Sequence, residues 1–314
     1  MRRSQIRLVI SPTKTLDFDT AFSCSSLISL AFPKEVDTLA SFLKSKSKAE
    51  LKGILKVSDN LTSLNVDRFK RFVLSRDLTA KDYKDSSQFK PALLAFQGDA
   101  FKALAAADFD KSDFEHCNST LRILCGMYGI LQPLECIQPY RLCMGDKIGS
   151  GTDKITSLYE FWRTKVTSAF IDECKKDGVS SIINVASDEY YKVLDEETLT
   201  KTFPVYKMHF LTNGSSPSVF SKQGRGLLAR YVAKNKITKP EDLKSFDLEG
   251  YKFVPAQSDD RNFVFNRPKP PPKATKRTAS PKVSASSSTK TKAKPASKAP
   301  PAKKPKVAKT KSRK

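Results

Sequence analysis

Histidine is almost missing from this chain: His116 and His209 are the only two among 314 residues. A histidine-rich metal centre is therefore excluded, although carboxylates remain available to a cation. The six cysteines, at positions 24, 117, 125, 136, 143 and 174, form no C-x-x-C pair and keep no metal-ligand spacing. No metal and no cofactor is called for. There is no Walker pattern, so a P-loop is not available. No long apolar run and no secretory h-region is present, which points away from a membrane and toward reduced thiols in a nuclear or cytoplasmic protein. Tryptophan occurs once, as Trp162 on an apolar helical stripe, and is expected in the core rather than as a base-stacking platform.

Acidic residues vanish at one place. From Asn266 to Lys314 there are 17 Lys or Arg, no Asp or Glu and no aromatic residue. Subtracting those 17 from the formal +23 leaves +6 for residues 1 to 265, a moderately basic globular domain. The remainder, 266 to 314, reads as a separate disordered tail of Lys, Pro, Ala and Ser, because it lacks the apolar side chains that would offset the entropy of ordering it. Such a tail suits a nucleic-acid backbone, releasing counterions without reading sequence. Lys303, Lys304 and Lys306, within AKKPKV, resemble a nuclear-import signal, and Ser280-Pro281 a proline-directed phosphorylation site.

In the body, Arg7 to Ile10 reads as a buried strand that Pro12 ends at once, leaving Lys14 where it can meet an anion. Ser47-x-x-Glu50 is a capping box that starts a helix near Lys48. The residues then suggest a short turn over Leu61 to Val66 and a second helix over Asp67 to Val73 bearing Arg68, Lys70 and Arg71. This would be a helix-hairpin-helix element, with Ser63 and Asn65 where glycines are expected. Ser112-x-x-Glu115 is read as the cap of a helix whose apolar face, Phe114, Cys117, Leu121, Leu124 and Cys125, delivers the chain to Gly126 and Gly129 and a proline-braced loop carrying Arg141. Ser157-x-x-Glu160 opens the longest helix, closed by Gly178. Ser181 to Ala186 is a second apolar strand, followed by Ser187, Asp188 and Glu189 at a strand-to-helix turn. Phe203 to Leu211 and Ser218 to Ser221 suggest strands joined through Asn213-Gly214, after which Lys222, Arg225 and Arg230 sit on a helix that suits phosphate contact. Strands and helices without strict alternation give an α+β or mixed α/β fold, a central sheet flanked by helices.

Five ordered blocks carry a resemblance: RLVISPTKTLDF, LLAFQGDAF, LRILCGMYGILQPLECIQPYRLCMG, INVASDEYYKVL and SKQGRGLLARYVAKNKITKPEDLKSFDLEGYKF. Over residues 6 to 265 the chain resembles the YaaA family of peroxide-stress proteins, and the basic tail is no part of the usual family pattern. The resemblance implies a single family-specific domain, duplex DNA binding through a helix-hairpin-helix element and a basic cleft, and a role in limiting oxidative damage linked to intracellular iron. It falls on Lys14, Tyr128, Arg141, Asn184, Ser187, Asp188, Glu189, Arg225 and Arg230. Two functions are weighed, beside a weaker third, direct sequestration of iron through carboxylates. The leading one is a binder of double-stranded DNA, intact or distorted, through Lys14, Arg68, Lys70, Arg71, Arg141, Lys222, Arg225, Arg230 and the tail lysines, with import machinery as a further partner of the tail. The other is an enzyme acting on a nucleotide or nucleobase, with Lys14, Arg141, Asn184, Asp188 and Glu189 as candidate catalytic residues.

Overall fold

In β1, Ile6–Ile10, all five residues are buried, as expected of a strand covered on both faces. The computed structural model, which describes residues 5–20, 30–79, 81–149 and 155–270, places this strand inside a seven-stranded sheet, third from one edge. β1 pairs in parallel with β3 (Leu121–Cys125) on one side and with β6 (Ser181–Asn184) on the other. β7 (Val205–Thr212) and β9 (Asn262–Arg267) continue the parallel run. The edges are antiparallel: β4 (Gly129–Leu131) on β3, and β8 (Lys252–Phe253) on β9. β2 (Lys90–Pro91) and β5 (Cys136–Ile137) form a separate small ladder. From β1 the chain moves outward to β3 and then crosses to β6 on the other flank, so strand order reverses at β1. Such a reversal leaves a crevice beyond the carboxyl ends of the strands.

Among the described residues ten helices cover the sheet: α1 (Pro33–Ser45), α2 (Lys48–Leu55), α3 (Asp59–Arg71), α4 (Ala92–Ala95), α5 (Asp99–Leu104), α6 (Lys111–Thr120), α7 (Leu158–Asp177), α8 (Asp188–Tyr191), α9 (Glu196–Thr202) and α10 (Ser218–Lys234). The capping box before α2 is present in full, Ser47 accepting from the Glu50 amide and Glu50 accepting from the Ser47 amide. Replacing Ser47 with Ala should cost about 1 kcal/mol in chemical unfolding, and an unchanged midpoint would show that the box contributes nothing. α7 ends at Gly178 in the left-handed conformation and buries Leu158, Trp162, Val166, Phe170 and Cys174. Trp162 is fully enclosed and donates its indole N–H to the Gly126 carbonyl, which confirms it as a core residue.

The mixed α/β architecture is the one expected, but several local readings are overturned. Leu121 to Cys125 is a strand, not the end of a helix. All five of its residues are buried, Arg122 included, so a 3-4 spacing can be picked out of a run that has no solvent-facing side. α6 instead begins two residues earlier, with Asp110 as its cap in a reciprocal box with Asp113. Leu61 to Val66 lies inside α3, and no hairpin occurs there. The α2–α3 connection is at Lys56 to Ser58, with Lys56 left-handed. Ser63 and Asn65 bond back to the carbonyls of Asp59 and Leu61, as helical side chains do. Ser218 to Ser221 is the first turn of α10 rather than a strand. β9 runs on to Arg267, whose guanidinium is buried and paired with Glu249, so the folded body continues past residue 265. Cys117, Cys125, Cys143 and Cys174 are buried free thiols. Cys24, Ser280 and the tail, with Lys303, Lys304 and Lys306, lie outside the described residues.

Behind β3 a cavity of about 110 Å³ separates the sheet from α7. Arg122 enters it from β3 and is held by the Glu173 carboxylate and by the carbonyls of Asn118 and Leu121. Glu135 faces the same space and accepts one bond, from the Gln132 amide at 3.0 Å.

Candidate functional site

The crevice at the strand reversal is occupied by three loops that bind one another. The segment after β1, Ser11 to Thr15, cannot extend the ladder because Pro12 has no N–H to donate. Ser11 Oγ accepts from the Ser187 amide at 2.8 Å and lies 3.1 Å from Ser187 Oγ, which ties the loop after β1 to the loop after β6. Thr13 Oγ1 accepts from the Gly98 amide at 3.1 Å and Thr15 O from the Gln97 amide at 3.0 Å, which adds the segment leading into α5. α10 closes the remaining side by lying directly on α5. At Gly226 a Cβ would stand 1.8 Å from the Ala100 carbonyl oxygen, so the approach exists only because that atom is absent. The space enclosed is about 330 Å³, with apolar walls from Ile10, Pro12, Ala100 and Val185. Lys14, Lys222, Arg225, Glu189 and Asp99 supply its charge.

The charge balance is unusual for what it leaves unpaired. Elsewhere in the body the enclosed arginines have carboxylate partners: Arg7 with Asp177, Arg122 with Glu173, Arg230 with Asp108 and Arg267 with Glu249. Arg225 is half-buried and has no hydrogen bond or ion pair among the described residues. Burial pulls its pKa down, and the charge of Asp188 opposes that only in part. Lys14 and Lys222 are likewise without a partner among the described residues. A second group of the same kind lies nearby. Burial lowers the pKa of Arg68, and the charges of Arg141 and Arg71 lower it further. Guanidinium groups held close together without a carboxylate, Arg68 and Arg141 half-buried and Arg71 exposed, are an anion site in waiting.

The acids stand between these two groups. Burial pushes the Asp146 carboxyl up, while the Cys143 N–H, donating at 2.7 Å, and Lys14 pull it down; Glu189 pushes it up again and Arg141 lowers it. Glu189 accepts one long bond, 3.3 Å, from the Gly145 amide, and its backbone carbonyl accepts from Tyr159 OH at 2.7 Å. Cys143 faces the same centre, but burial pushes its thiol up, so it is not an activated nucleophile. Among the described residues no three His, Cys, Asp or Glu side chains converge on a metal position. No helix in that set is long and apolar enough to cross a membrane.

The structure thus brings together Lys14, Ser187, Glu189, Lys222 and Arg225, with Asp188 acting on Arg225 from outside and Arg141 reaching Asp146 from the other flank. Other candidates stand elsewhere. Asn184 turns back to accept from the Ala186 amide and shapes the turn. Tyr128 is buried and accepts from the Gln138 amide. Arg230 is committed to Asp108 and to the carbonyls of Leu104 and Ala105 at the end of α5. Lys70 and Arg71 are exposed on α3. Sequence reasoning missed Ser11, Gly98 and Asp146. Ser11 and Gly98 sit within the family-like blocks, but what they bond to is set by strand pairing. Asp146 follows the central block with no signal of its own.

Comparison with known proteins adds the following. Residues 6–257 match the family described as "Peroxide stress protein YaaA". A UPF0246 protein of Saccharophagus degradans is 38% identical over 262 residues, 83% of this chain and 98% of that one. One from Janthinobacterium sp. (strain Marseille) is 37% identical over 267 residues, again 83% and 98%. The UPF0246 protein VFMJ11_2214 of Aliivibrio fischeri is 36% identical over 264 residues, 83% and 97%. The basic tail lies beyond the family match.

Proposed function

Since the chain belongs to the YaaA family of peroxide stress proteins, we propose that it serves the peroxide stress response as a DNA-binding protein, limiting oxidative damage linked to intracellular iron. The observation that carries the DNA reading is the set of partnerless cations around the crevice, Lys14, Lys222 and Arg225 on one side and Arg68 and Arg141 on the other. A phosphate oxygen is the acceptor such groups lack. The tail adds positive charge with no acid to oppose it and supplies affinity independent of base sequence. Nuclear residence follows on this reading from the Lys303, Lys304 and Lys306 run.

Salt-dependent binding to duplex DNA separates the two contributions. The full chain should show a steep fall of log K with log salt, and a chain ending at Pro270 a shallower one, each neutralised phosphate adding about 0.9 to the slope. Replacing Arg68 and Arg141, the partnerless cations outside the cavity, with Ala in the truncated chain should lower its slope by about 2. If the truncated chain fails to bind duplex even at low salt, the body is not a DNA binder.

A specific observation also favours the enzymatic reading, namely the carboxylate of Glu189 in the same cavity as the cations Lys14, Lys222 and Arg225. A nucleobase would be its natural target, with Glu189 as proton acceptor.

A further inference from the structure

We propose that the cavity between the loops after β1 and β6 is a subsite for one nucleotide unit, a single phosphate with its planar base, and not a seat for continuous duplex backbone. The proposal rests on the nucleic-acid reading above and names the part of the ligand that enters.

Size comes first. A volume of about 330 Å³ is near the lower bound of small-molecule sites. A duplex, whose major groove alone is about 12 Å wide, has to stay outside it.

The sign of the lining comes second. Phosphate oxygens only accept hydrogen bonds, so a site built for backbone would be lined by donors alone. Asp99 breaks that rule, and so does Glu189. Only one of its oxygens is engaged among the described residues, by the long bond from Gly145. A carboxylate facing a ligand needs an N–H on that ligand, and the base edges of guanine, adenine and cytosine supply one. Lys14, Lys222 and Arg225 meanwhile remain for the phosphate.

The walls come third. Ile10, Pro12, Ala100 and Val185 offer apolar surface with no hydrogen bonds to satisfy, which suits the face of a base and not a hydrated sugar-phosphate strand. A nucleotide unit can reach such a cavity as a free mononucleotide or as a residue turned out of a DNA strand.

The test uses the full chain. Its affinity is measured by calorimetry for the four nucleoside 5′-monophosphates and for inorganic phosphate. A 2-aminopurine placed opposite a mismatch in a duplex reports unstacking by its fluorescence. A mononucleotide should bind at least tenfold more tightly than inorganic phosphate, and Glu189→Gln should erase most of that advantage. Arg225→Ala should weaken both ligands, with circular dichroism confirming that each variant folds. A fluorescence rise that a mononucleotide competes away assigns the subsite to an extruded DNA residue. Mononucleotide binding without a rise assigns it to a free nucleotide. If duplex binds while no mononucleotide beats phosphate and the fluorescence is flat, the subsite is refuted and DNA binding survives. If neither duplex nor mononucleotide binds, both readings fail.

Discussion

A chain with Ala at position 226 should unfold at least 6 °C below the parent. In an ordinary helix interior the same change gains about 1 kcal/mol, because glycine loses more backbone freedom on folding. Gly226 is not ordinary, since the added methyl would fall 1.8 Å from the Ala100 carbonyl oxygen, a backbone atom that no rotamer change can move. α10 must then lift off α5, which gives up packing along the helix pair. Overpacking of this kind costs about 1–3 kcal/mol and more when backbone must separate, so the net loss should be about 3 kcal/mol. At about 2–4 °C per kcal/mol for a body of this size, that is roughly 6–12 °C. Gly53, on α2, is the internal control, because a methyl added there would meet no atom within 4 Å. Gly53→Ala should raise stability by about 0.5–1 kcal/mol. Equal effects at the two positions would mean that α10 does not sit on α5 in this way. Because α10 also carries Lys222 and Arg225, any variant that survives should bind anions less well.

The second large effect is a pH dependence. Burial pushes the Glu135 carboxyl up to about 8, with Arg122 lowering it and Glu173 raising it. In the unfolded chain a glutamate loses its proton near pH 4.3. Below that pH both states hold the proton and the group is neutral toward stability. Between there and pH 8 the unfolded state has released its proton and the folded state has not, so stability falls as pH rises, by about 1.4 kcal/mol per pH unit at most. The upper bound across that window is about 5 kcal/mol. Relaxation around the 110 Å³ cavity should leave about 2–4 kcal/mol. Glu135→Gln keeps an acceptor for the Gln132 amide and has no proton to lose, so its stability relative to the parent should climb from pH 5 to pH 8.5. Denaturant midpoints of the two chains at four pH values measure the difference and cancel every other titrating group. Parallel curves would show that Glu135 ionises normally.

How much of this was legible in the sequence depends on which force set each feature. The capping box at Ser47 and Glu50, the start of α7 at Ser157 and its end at Gly178 are local chemistry, written in adjacent residues, and they stand where the residues put them. Leu121 to Cys125 failed because its environment, not its pattern, makes it a strand: it is flanked by β1 and β4 and covered on both faces. Leu61 to Val66 failed in the opposite direction. Polar residues that favour turns were carried into a helix by their own backbone bonds and by packing of Thr62, Asn65 and Phe69. In the site, Lys14, Glu189 and Arg225 were visible because charged residues at strand ends and on a glycine-rich helix are locally odd. Asp146 was not visible, because its place beside Glu189 follows from the sheet bringing β3 and β6 to either side of β1.

That arrangement of β1 also bears on how the chain must be handled while it is being made. Leu8 pairs with Leu121 on one side and with Ile183 on the other, so this strand leaves the ribosome long before either partner and waits until much of the body has been synthesised. Until then IRLVI is an apolar, β-prone segment with two open edges, the kind of template on which chains aggregate. The strand whose end forms the floor of the crevice is therefore the one that most needs shielding during translation.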